Sequence, residues 1–257
     1  MISIAAEAGR SITPPRRFAP FHRWDHNFFL LYVGLIWLGV CMGFGGDIVR
    51  HVQKHEPPYP LIVHFHAAAM VSWLTLLTAQ VLLIRVHRAD IHRRLGVAGI
   101  ALAGVILVLG PATALTMHGL EFGTPRSDTP FLSVQLSDIL AFAGLAGSGI
   151  LLRGYSSAHK RLMLLATLYI SDAGFARWLG GSVHSWLGDG YWSNMAQLYL
   201  ANDALILGLG VYDLVTRRRL HPAYVIGVVW VLTLQMSAVG LYLSPWWKPI
   251  SQRLVGH

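Results

Sequence analysis

The sequence predicts an all-α, polytopic integral membrane protein of seven transmembrane helices, one helix followed by three antiparallel hairpins, with the N-terminus inside and the C-terminus outside. Three observations carry this. Hydrophobic residues make up 54% of the 257 residues and charged residues only 12%, against about 25% charged in a soluble domain. Seven apolar stretches are each long enough, at about 1.5 Å rise per residue, to cross a hydrocarbon layer of roughly 30 Å. Lys and Arg gather in alternate connections, as the positive-inside rule requires of cytoplasmic loops.

Taken in order, residues 1–26 form a cytoplasmic segment. Its Arg10, Arg16, Arg17 and Arg23 surround no apolar core, so it does not resemble a cleavable signal. The transmembrane domain is expected over residues 27–243, with spans at 27–46, 61–86, 95–117, 131–153, 161–181, 194–215 and 222–243, and residues 244–257 are an outer interfacial tail. "LGVC", ending at Cys41, is lipobox-like but lacks a small residue directly before the cysteine, so the first span is a retained helix. Cys41 is the only cysteine; no internal disulfide can form, and a lone thiol in an apolar run acts as a small packing residue.

Orientation follows from the connections. The N-terminal segment and the even-numbered connections carry Arg88, Arg93 and Arg94, then Lys160 and Arg161, then Arg217, Arg218 and Arg219. The odd-numbered ones offset Arg50 and Lys54 with Asp47 and Glu56, offset Arg126 with Glu121 and Asp128, and carry Asp189 alone. The tail "SPWWKPISQRLVGH", with Trp186 and Trp192, fits an outer aromatic belt. The net charge of +8 is spread as short basic clusters between apolar runs, which excludes nucleic acid as the partner and leaves the lipid bilayer.

A weak repeat marks the cytoplasmic hairpin ends: "VHRADIHRRLG", "RGYSSAHKRLM" and "TRRRLHPAY" place His92, His159 and His221 beside cations where an outward-running helix begins. They are expected to be polar residues at headgroup level, with a cytoplasmic haem or metal site as the alternative.

The ionisable residues inside the spans point to function, because each costs about 2.5–3.5 kcal/mol on insertion scales and calls for a partner or a cavity. Asp138, Asp172 and Asp203, with Arg177, lie in spans four to six. Counted from the span ends, the three aspartates sit roughly 10 to 14 Å below the outer boundary, at one level. Gln135 shares a face with Asp138 and Tyr199 with Asp203, and Asn202 and Gln235 add polar groups in the same outer half, whereas the inner halves read as nearly pure Leu, Val, Ile, Ala and Gly. Arg177 can neutralise one carboxylate; the others form a packing network or hold a cation, a shared proton or histidinium partners.

Six histidines gather at the same boundary: His51, His55, His64, His66, His118 and His184. Imidazole is a common ligand of zinc, copper and iron, and mixed His/Asp shells suit non-haem iron or zinc. His64 and His66 lie deepest but point about 200° apart on a helix. Three readings stand: a metal ion (Fe, Cu or Zn), hydrogen bonding to the aspartates and helix ends, or a haem b held by two of the histidines.

From His64 onward, "HFHAAAMVSWLTLLTAQVLL", "HRRLG", "HKRLMLLAT", "YDLVTRRRLHPA" and the "SPWW" tail resemble a family of seven-helix bacterial inner-membrane proteins to which no reaction is assigned. The plan is also distantly similar to the haem-carrying cytochrome b561 proteins, although their paired mid-membrane histidines are not evident. The resemblance implies the bacterial inner membrane. The leading functional expectation is a metalloprotein with an outer His/Asp site, an oxidoreductase or hydrolase on a lipid-soluble substrate, in which Asp138, Asp172 or Asp203 moves protons. A proton- or cation-coupled transporter, and an accessory subunit packed against other membrane proteins, are the alternatives.

Overall fold

The computed structural model describes residues 18–257. Among them the chain is all-helical: α1 Asp25–Gln53, α2 Leu61–Arg85, α3 Ala89–Glu121, a 3-10 turn Thr129–Phe131, α4 Leu132–Leu151, α5 Ser156–Ile170, α6 Asp172–Leu187, α7 Tyr191–Arg217, α8 Pro222–Tyr242 and α9 Trp247–Leu254. Among the described residues six helices are long and apolar enough to cross a membrane: α1, α2, α3, α4 with its leading 3-10 turn, α7 and α8. Their outward faces expose large apolar side chains, Val108 at 69%, Leu207 at 65% and Ile226 at 70%. Such an apolar perimeter suits lipid rather than water.

The continuous fifth span expected at 161–181 is instead two short helices. α5 and α6 meet at Ser171, whose N–H is shared between the carbonyls of Thr167 and Leu168 at 3.2 Å each, and the next turn restarts with Gly174 N–H donating to Ser171 O at 3.0 Å. Leu168 O also accepts from the Ser171 hydroxyl at 2.7 Å and from Asn202 Nδ2 at 2.6 Å. Side chains thus satisfy the backbone that the break leaves open, as a buried irregularity requires.

α5 is the central element. Leu162 and Leu164 to Ile170 are all buried, packed between α4, α8 and α7, and Trp73 of α2 donates to Thr167 Oγ1 at 3.1 Å. A helix apolar all round is a core helix, and its central place explains why its sequence shows no lipid-facing stripe.

α6 takes a different neighbour, α1, along a seam set by small residues. A Cβ on Gly43 would collide with Gly174 O, and one on Gly174 would stand 2.9 Å from Gly39 O. Gly39 and Gly43 are a small-xxx-small pair that lets the two backbones touch. One turn further, Arg177 Nε meets Asp47 Oδ2 at 2.8 Å and its guanidinium lies 4.6 Å from the Phe44 ring centre.

Two phenols bind α7 from either side: Tyr32 of α1 donates to Leu205 O at 2.9 Å and Tyr224 of α8 to Ile206 O at 3.0 Å. α8 begins with Pro222 behind His221, whose Nδ1 accepts from Ala223 N–H at 3.0 Å, an N-cap followed by proline at the first helical position. The tail expected as a plain interfacial anchor folds back as α9, with Trp247 Nε1 donating to Pro130 O at 2.9 Å.

Candidate functional site

Two polar layers occupy the bundle, one toward each end. At the basic end, where residues 18–24 and the α2–α3, α4–α5 and α7–α8 connections lie, one group of charges is buried and paired. Arg161 and Asp213, both fully buried, form a two-pronged ion pair with Nε to Oδ2 at 2.7 Å, and Arg161 Nη1 donates to Ser157 O at 2.7 Å. Asp25 accepts from Tyr212 at 2.6 Å, from Lys160 at 2.6 Å and from Arg217 at 2.8 and 2.9 Å. The ring of Phe18 lies 4.6 Å from the Arg161 guanidinium and 5.3 Å from that of Arg217, and Ala19 O and Pro20 O accept from Arg217 and Lys160.

The expectation that these half-spans are nearly pure Leu, Val, Ile, Ala and Gly does not account for the buried side chains of Asp213, Arg161 and Arg217. Lys160, Arg161 and Arg217 all turn into the protein, Arg161 to Asp213 and both Lys160 and Arg217 to Asp25. The signal in the sequence was Asp213 itself, four residues before Arg217 within "YDLVTR". Arg10, Arg16 and Arg17 lie outside the described residues; Arg23 stacks over Trp24 at 5.4 Å.

The repeat histidines are also at this end. The rings of His92 and His159 lie 6.2 Å apart, and His159 Nδ1 is 2.8 Å from Gly149 O. His221 Nε2 is 3.1 Å from the Ser157 hydroxyl. Burial, and then the Arg161 cation, push the His221 pKa down to about 4.

The second layer lies toward the far end. The carboxyl groups of Asp138 on α4 and Asp172 on α6 are close enough to interact, and Asp203 on α7 to act on Asp172. Asp172 opens α6 and accepts from Ala173 N–H at 2.5 Å, where the positive end of the helix favours a carboxylate. Asp203 Oδ1 accepts from Gln235 Nε2 of α8 at 2.9 Å. Above this group stand Tyr169 of α5 and Tyr199 of α7, their rings stacked with centres 6.1 Å apart, with Ser137 beside both.

What distinguishes this layer is unmet hydrogen-bonding capacity. Asp138 Oδ1, both phenol oxygens, Asn202 Oδ1 and Gln235 Oε1 are buried without a partner, although such groups are nearly always paired. Arg177, expected beside the aspartates, spends its guanidinium on Asp47 and on Ala173 O at 2.9 Å. Tyr169, which lies at the break, escaped the sequence reading because it sits in an apolar run; nothing local marks it.

The histidines do not gather as the aspartates do. His51, in the last turn of α1, pairs with Glu56 at 3.0 Å and stacks on Tyr59. Arg126 reaches the same Glu56 at 2.8 Å; desolvation opposes them, yet Arg126 and His51 hold that carboxyl below its usual range. His55 lies past the helix end at φ 52°. His64 is exposed, whereas His66 is half-buried with its Nδ1 shielded and unpartnered, so His66 is the inward member of the pair. His118 is buried, with Nε2 2.8 Å from Gln135 Oε1, and His184 is exposed, with Nδ1 3.1 Å from Gln197 Nε2.

Among the described residues no group of three or more His, Cys, Asp or Glu side chains is disposed to hold a metal ion. The arrangement can exchange protons through a carboxyl pair and bind ligands through unpaired oxygens. No protein-family model, no curated protein and no solved structure matches the chain.

Proposed function

We propose that this protein crosses the bacterial inner membrane seven times, with its N-terminus in the cytoplasm and its C-terminus outside, and that it is a proton-coupled carrier whose working site is the buried carboxyl cluster of the outer half. α5 and α6 together run from Ser156 to Leu187, longer than the about 20 residues one crossing needs. They supply the seventh passage, and the distribution of Lys and Arg supports the orientation.

The observation that carries the functional reading is the interaction of Asp138 with Asp172, with one oxygen of Asp138 left unpartnered. Two carboxyl groups that interact away from water share a proton, because both cannot be charged so close together. Gain or loss of the proton turns attraction into repulsion between α4 and α6. A site in a broken helix couples that change to movement more readily than one in a continuous helix. Infrared difference spectroscopy of the protein in liposomes tests the reading. A protonated-carboxyl band that titrates with external pH and disappears in Asp138→Asn and in Asp172→Asn is expected; absence of the band in the unaltered protein rejects it.

A second reading keeps the metal-dependent oxidoreductase or hydrolase. In its favour, His66 and His118 each present a buried Nδ1 without partner, at the same end of the α2–α3 hairpin. Metal analysis of purified protein and of His66→Ala separates the two: stoichiometric Fe, Cu or Zn that is lost in the variant supports the metal, and an absorption spectrum with a Soret band assigns haem instead.

A further inference from the structure

The break between α5 and α6 has the composition of a cation site. Four buried, unpartnered oxygens belong to residues at the break or tied to it: Asp138 Oδ1, Tyr169 OH, Tyr199 OH and Asn202 Oδ1. Their carriers are rigidly placed. Asn202 is pinned at the break by its own Nδ2 on Leu168 O at 2.6 Å, which leaves Oδ1 as the free end. Tyr169 is the next residue after Leu168, and Tyr199 lies one turn before Asn202 on α7. Tyr169, Tyr199 and Asn202 are 1%, 0% and 1% exposed, so bulk water does not serve their oxygens.

The donor chemistry narrows the ligand. Uncharged phenol and amide oxygens with a carboxyl oxygen suit hard cations, whereas imidazole and thiolate, which select transition metals, are absent from the set. Two carboxyl groups that share one proton carry a single negative charge between them, which one monovalent cation balances. The backbone is irregular at the break, as in the discontinuous membrane helices whose unwound segments coordinate sodium.

We propose that one sodium ion binds at the α5–α6 break, held by Asp138, Tyr169, Tyr199 and Asn202, and that it competes there with a second proton on the Asp138–Asp172 pair, whose shared proton is retained. This rests on the reading of that cluster as the working site, and it names sodium as the coupling ion.

The test uses the full-length protein in detergent. Equilibrium binding of radioactive sodium, and thermal unfolding in sodium chloride against choline chloride at equal ionic strength, are measured together. Saturable binding of one ion per chain is expected, with the melting temperature raised by about 5 °C at sodium concentrations near 100 times the dissociation constant. Sodium affinity should fall as the pH is lowered, and Tyr199→Phe and Tyr169→Phe should each weaken binding at least tenfold. Equal melting in sodium and choline with no bound sodium overturns the proposal, and equal binding of potassium overturns the assignment to sodium. The unaltered protein decides these points, so a variant that fails to fold leaves the answer standing. If the carboxyl band titrates as described above while no sodium binds, this inference falls and the proton reading remains; if neither is observed, both fall.

Discussion

The two polar layers hold similar residues and solve opposite problems. At the basic end, Arg161, Arg217 and Lys160 meet Asp213 and Asp25, and nearly every donor is used. Toward the far end, three aspartates lie together, Arg177 turns away to Asp47, and five buried oxygens have no partner. A buried charge network that is satisfied fixes the position of its helices, and removing one partner leaves a stranded charge. A buried polar group left unsatisfied costs stability and survives where something else uses it. The basic layer therefore clasps α1, α5 and α7 together, and the far layer is the one proposed as the site.

That contrast can be broken most directly at the clasp. Arg161→Met strands Asp213 and should cost about 3–5 kcal/mol, seen as loss of monodisperse protein on size exclusion; the double change Arg161→Met with Asp213→Leu should recover part of it. The next largest effect is expected on the seam that carries the site. Gly43→Ala drives a methyl onto Gly174 O and should destabilise by about 1–3 kcal/mol through overpacking, lowering the melting temperature while leaving the basic layer intact.

Acidification probes the clasp more gently. The native pKa of His221 is about 4 against an ordinary 6.5, so the folded protein keeps it neutral while the unfolded chain protonates. Its contribution is complete above about pH 6.5 and declines as the pH falls toward 4. Partial exposure reduces the effect to about 1 kcal/mol, and a melting series between pH 7 and pH 4.5 should lose this component in His221→Asn.

The smallest changes in stability are expected at the outer layer. Asp138→Asn removes a carboxyl from a crowded pair and should leave stability within about 1 kcal/mol while abolishing the titrating infrared band. His64→Ala, at an exposed position, should fall within about 0.5 kcal/mol. A collapse of folding in Asp138→Asn with a tolerant Arg161→Met would reverse the assignment of clasp and site.

The helical, membrane-crossing character was legible in the sequence because it depends on local quantities: apolar length, the scarcity of charge and the placement of Lys and Arg relative to the runs. Helical rise, which converts residue count into depth, grouped Asp138, Asp172 and Asp203 as an expectation; that their carboxyl groups interact is settled by how α4, α6 and α7 pack. The break at Ser171 was not legible. No proline or glycine stands at it, and it exists because Asn202, from a distant helix, satisfies Leu168 O. Whether His64 or His66 faces inward depended on the roll of α2 against α3 and α4, and the pairing of Arg161 with Asp213 on a contact between residues 52 apart in the chain. Periodicity and composition report what one segment prefers in lipid; which polar groups meet, and which are left without partners, is settled only when the helices pack against each other.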